Sequence, residues 1–144
     1  MIRRKIPLRV ASILALLQGI AHGLLIARYS PRHGLAETTV VSAMQSNFFR
    51  FGGPWAHSYW ELYTGYAWMA AVTCLIQGAA LWIISSAPEN RTISRLIGVF
   101  LAANLVHATL VIKFFFLTPL TPDLLIVLCL CLALRRPSKK DIQN

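Results

Sequence analysis

Four apolar runs, separated by short polar segments, dominate the chain. Residues 10–27, 60–84 and 96–117 are each long enough, or nearly so, to cross a hydrocarbon core of ~30 Å at 1.5 Å per residue of helix. A fourth run, 120–134, is short by that yardstick, so the turn before it dips into the bilayer or the membrane thins there. A basic start followed by an apolar run also fits a signal peptide. The run at 10–27 is long for that, and no clear small-residue cleavage pattern follows it, so it reads as a retained first helix.

The segments between the runs carry their own signals. Arg28-Tyr29-Ser30-Pro31 stops the first helix. Within 37–51, Val41, Met44 and Phe48 recur at i, i+3 and i+7, the spacing of an amphipathic helix lying on the outer surface. Gly52-Gly53-Pro54 then breaks the chain, and Pro54 suits the start of the next helix. Trp55, Tyr59, Trp60, Tyr63 and Tyr66 form an aromatic belt at the outer end of the second span, and Trp82 marks its inner end. Thr121-Pro122-Asp123 reads as an N-cap, a first-turn proline and a favourable first-turn acid. The expected fold is all-α: an integral, multi-pass membrane protein, a single domain built as a four-helix transmembrane bundle.

Composition agrees. Apolar residues make up 56% of the 144 and charged residues 13%, about half the charge of a water-soluble domain. The net charge of +9 raises the question of nucleic acid. Its distribution answers it. Arg3, Arg4, Lys5 and Arg9 precede the first span, Arg91 and Arg95 join the second to the third, and Arg135, Arg136, Lys139 and Lys140 follow the fourth. With four spans these segments share one side, the positive-inside pattern, and both termini are cytoplasmic. No basic face interleaved with aromatics lies outside the spans, so nucleic acid is not an expected partner. Cys74, Cys129 and Cys131 sit inside apolar runs as small fillers, not as a disulfide framework.

Polar residues inside the spans carry the candidate chemistry, because each is costly there unless paired or used. On four spans Gln18, His22, His57, Glu61, Asn104, His107 and Lys113 all fall between the midplane and the outer surface. A bundle can turn them towards one cavity. His57 and Glu61 are four apart and would share a helix face. Glu61 would act as acid or base, with His57, His22 or His107 as partner. Asn104, Gln18, Trp60, Tyr63 and Trp68 would contact a lipophilic substrate, the rings also stabilising a cation. Such a set suits moving a proton on a lipophilic molecule, in isomerisation or cyclisation.

Each residue also has a plainer reading. Lys113 can snorkel to the headgroups. Gln18, Asn104 and Gln77 can bond neighbouring helices. Glu61–His57 can be a structural pair, which makes the alternative a non-enzymatic membrane accessory subunit. His33 is a solvated loop residue. No histidine spacing supports a metal site. No phosphate-binding glycine loop or serine elbow is present, and no cofactor is expected. Besides the bilayer and a lipophilic ligand, a second copy of the chain is an expected partner. Ala15, Gly19, Gly23 and Ala27 recur every four residues and offer a close-packing face.

The stretch Ser58-Tyr59-Trp60-Glu61-Leu62-Tyr63-Thr64-Gly65-Tyr66 resembles a family of small, functionally uncharacterised four-span membrane proteins, whose second span opens S-Y-W-[DE]-F-Y-x-G-[FY]. His22-Gly23 and Phe48-Phe49-Arg50-Phe51 fit its weaker features. Leu62 replaces an aromatic, and Glu61 stands where Asp is commoner. The resemblance implies the four-helix topology and draws attention to Glu61, and it brings no activity with it. Small sterol isomerases, which use His and Glu inside a membrane bundle, are similar in architecture only.

Overall fold

The computed structural model describes residues 2–50, 52–115 and 119–135, with the backbone alone for Ile2 and Arg3. Phe51, residues 116–118 of the expected outer turn and third span, and the basic tail residues Arg136, Lys139 and Lys140 lie outside it. The described elements are α1 (Ile2–Ala27), α2 (Leu35–Ser46), β1 (Phe48–Arg50), β2 (Ala56–Ser58), α3 (Tyr59–Ser86), α4 (Arg91–Phe114) and α5 (Leu120–Leu134).

Among the described residues three helices are long and apolar enough to cross a membrane: Arg4–Ala27, Tyr59–Ser86 and Arg91–Phe114. Helix α5 is equally apolar but has only 15 residues. Much of the apolar surface points outward, with Ile83 69% and Val99 65% exposed. That pattern suits lipid and would be costly in water.

The chain forms two compact units. The first comprises residues 1–18 and 75–144. Its core joins Leu8, Ala11 and Ala15 of α1, Leu81 and Ile84 of α3, Ile97 of α4, and Ile126, Leu130 and Ala133 of α5. Side chains of four helices thus meet in one cluster. Helices α1 and α3 approach closely because Gly78 has no side chain. A Cβ there would lie 2.6 Å from Leu16 Cγ and 3.0 Å from the Ser12 carbonyl oxygen. The Ser12 hydroxyl donates to the Gly78 carbonyl across this contact at 2.6 Å. The Arg9 guanidinium lies 4.9 Å from the Trp82 ring. Asn90 caps α4, its side-chain oxygen accepting from Ile93 N–H at 2.8 Å.

The second unit comprises residues 19–74. Two expectations change here. The amphipathic helix ends at Ser46, not 51, and Phe48–Arg50 instead pairs antiparallel with Ala56–Ser58. Gly52-Gly53-Pro54 therefore lies in the loop of a hairpin, with Gly52 at φ +68°, and Pro54 does not start a helix. The second change concerns the small-residue stripe. Gly23 is buried, and a Cβ on it would lie 3.2 Å from the Trp68 ring. Ala15 is spent in the first unit's core. Ala15, Gly19 and Gly23 of the stripe are buried within the chain, and Ala27 is exposed.

Candidate functional site

In the first unit a buried carboxylate gathers two of the predicted residues. Asp123, in the first turn of α5, is 1% exposed. Its Oδ1 accepts from the Gln18 side-chain amide at 3.0 Å, and its Oδ2 lies 3.0 Å from His107 Nδ1. When Nδ1 carries the hydrogen, it donates to Oδ2, and in the neutral ring Nε2 then holds the lone pair. The His107 side chain is 49% exposed, so the ring is oriented on one edge and accessible on the other. A histidine held this way can take up or release a proton at Nε2 while its other nitrogen keeps the carboxylate contact.

Asn104 belongs to a separate bond set in the same unit. Its oxygen accepts from Gln77 at 3.1 Å, and its amide donates to the Phe100 carbonyl at 2.7 Å. It is buried and fully engaged, and it ties α3 to α4.

Asp123 was not among the predicted site residues. Thr121-Pro122-Asp123 looked like a local helix start. Instead the N-cap is Pro119, two residues earlier and without a side-chain cap, and α5 begins at Leu120. The available signal was the cost of an acid inside an apolar run.

Glu61 and His57 lie in the second unit, and their arrangement differs. His57 is in strand β2, not on a helix face shared with Glu61. Glu61 and Ser58 form a reciprocal capping box: Ser58 N–H donates to Glu61 Oε2 at 2.8 Å, and Glu61 N–H donates to Ser58 Oγ at 3.1 Å. The His57 Nδ1 stands 3.6 Å from the same carboxylate, beyond a good hydrogen bond. Both side chains are well exposed. This carboxylate therefore starts a helix.

The remaining predicted residues are also in the second unit. His22 is half-buried on α1. Trp60 stacks near Tyr29 and Tyr63, with centroids 5.0 and 5.6 Å away. Trp60 and Trp68 line an open cavity of about 700 Å³, and Trp60 and Tyr63 line a neighbouring one of about 390 Å³.

No family model, curated protein or solved structure matches the chain.

Proposed function

We propose that this is an integral membrane protein of four spans with cytoplasmic termini, and that it isomerises or cyclises a lipophilic small molecule by proton transfer. The span count rests on the four apolar runs and on the single core shared by α1, α3, α4 and α5. The termini follow from the placement of Arg and Lys. The carrying observation for the chemistry is the buried Asp123 between Gln18 and His107.

His107 is the proton-transfer group. Its Nε2 takes a proton from a substrate carbon between a carbonyl and a double bond, the electron pair passes into the carbonyl as a dienolate, and the imidazolium returns the proton at the far end of the shifted double bond. Asp123 stabilises the imidazolium and holds the ring, and Gln18 holds Asp123. The acid–base role moves from Glu61 to His107 because the Glu61 carboxylate is already occupied in the capping box.

The test uses proteoliposomes in deuterated water, given a lipophilic extract of the host membrane. One non-phospholipid species should gain deuterium or change its double-bond position. His107→Gln should slow this by about 10²–10⁴-fold, the usual value of a positioned acid–base group. Equal exchange with folded His107→Gln would overturn the reading. The alternative, an accessory subunit, is favoured by the capping box, which makes Glu61 a structural residue. It would gain if no extract component responds to wild-type protein.

A further inference from the structure

We infer that the 700 Å³ cavity beneath α2 binds the uncharged, hydroxyl-bearing head of a neutral lipid, and that the adjoining 390 Å³ cavity takes its apolar part. This stands apart from the acid–base reading and uses other residues, all within residues 19–74.

The size is that of a small-molecule site. The lining sets the ligand class. Thr38, Ser42 and Gln45 of α2 line the larger cavity with Thr64, Trp60 and Trp68 of α3, and among the described residues no Asp, Glu, Lys, Arg or His lines it. Hydroxyls and an amide can both donate and accept, which suits a polyol, and they supply no countercharge to a phosphate or an ammonium. The Thr64 hydroxyl donates to the Trp60 carbonyl at 2.9 Å and still offers its oxygen as an acceptor. The Ser42 and Gln45 side chains are exposed and make no hydrogen bond among the described residues. Indole faces add flat apolar walls with a polar edge, as expected where one end of a ligand is wet.

The smaller cavity is almost wholly apolar, walled by Val40, Met44 and Tyr63. Both share Tyr29, Val41 and Trp60, so one ligand can straddle them. Glu37 borders the smaller cavity, and its carboxylate oxygens are taken up by groups of this chain, the His33 ring among them with Nδ1 3.1 Å from Oε2. Its Oε1 accepts from the Tyr29 hydroxyl at 2.6 Å, and its Oε2 accepts the Arg32 and His33 backbone N–H groups, each at 2.7 Å. The same bonds tie the chain after α1 to α2 and set the rim of the site.

The experiment places the full chain in phosphatidylcholine nanodiscs containing a small, equal fraction of a monohexosyl diacylglycerol, diacylglycerol or phosphatidylglycerol. Lipid retained by the released protein is read by native mass spectrometry. Retention of the hexosyl lipid or of diacylglycerol should exceed that of phosphatidylglycerol by about tenfold, the effect of one or two net hydrogen bonds. The preferred one of the two identifies the head as sugar or glycerol. Ser42→Val with Gln45→Leu should abolish the preference. The isosteric Gln45→Glu should weaken it while preserving α2. Thr39→Val, on α2 but outside both cavities, should leave it intact. Equal retention of all three lipids, preference for phosphatidylglycerol, or equal loss with Thr39→Val would overturn the proposal.

Discussion

Two of the histidine–carboxylate pairs among the described residues, one in each unit, are made in different ways. His107 and Asp123 come from different helices, 16 residues apart, with the carboxylate buried at 3.0 Å from the ring. His57 and Glu61 are four residues apart, both exposed, at 3.6 Å. The local pair comes almost free from the chain's own geometry, and its carboxylate serves a helix terminus. The distant pair exists only because tertiary packing brings α4 and α5 together and excludes solvent from Asp123. Burial makes the carboxylate dependent on its partners, and that dependence fixes the imidazole.

The comparison breaks most visibly at Asp123. Asp123→Leu leaves the Gln18 amide and the His107 nitrogen without their acceptor. Both groups are only part-buried, so at the low end of the about 1–3 kcal/mol for a group left unsatisfied the first unit should lose about 2 kcal/mol, read by unfolding in mixed detergent. Glu61→Gln should be almost silent in the same assay, since Gln also completes a capping box. Similar losses for both variants would erase the distinction.

Gly78→Ala comes next. The new methyl would sit 2.6 Å from Leu16 Cγ and 3.0 Å from backbone, so α1 must move from α3. Overpacking of this kind costs about 1–3 kcal/mol. Because Gln18 rides on α1, its contact with Asp123 should loosen too, seen as faster exchange of the His107 ring proton by NMR. Ser58→Ala removes the cap acceptor of α3 at about 1 kcal/mol. It should fray only the start of that helix, and hydrogen exchange at Tyr59–Leu62 would show it.

The sequence made the helices plain and the site only partly so. Runs such as 60–84 carry enough apolar residues to declare themselves. The hairpin did not, because its strands have three residues each and Val41, Met44 and Phe48 kept a helical spacing across the true helix end. Gly52-Gly53-Pro54 breaks a chain equally well in either setting. Gln18 and His107 stood out as polar residues in apolar runs, but their meeting point did not. Asp123 had a sufficient local explanation, and its partner Gln18 is 105 residues away. The Ser58-x-x-Glu61 cap was readable, yet the i, i+4 relation of His57 and Glu61 competed for the same carboxylate.

A third carboxylate sharpens the contrast through pH. Glu37 lies outside the long helices. The Tyr29 hydroxyl, then the His33 and Arg32 backbone N–H groups, hold its carboxyl down to about 2 from an ordinary 4.5. The bond to Glu37 pushes the Tyr29 phenol up to about 12 from 10. A depressed acid contributes stability that is complete above its unfolded pKa and is lost as pH falls through the folded one. The Glu37 contribution is therefore whole above about pH 4.5 and gone below about 2. A raised phenol behaves oppositely, whole below about pH 10 and lost as pH rises through about 12. The Tyr29 ring lies 5.0 Å from Trp60, so tryptophan fluorescence should stay flat between these limits and change at both ends. Tyr29→Phe removes the hydroxyl that dominates both shifts. It should move the acid transition up towards 4.5 and abolish the alkaline one. An acid transition that Tyr29→Phe leaves in place would mean that the Arg32 and His33 backbone N–H groups alone hold Glu37 down.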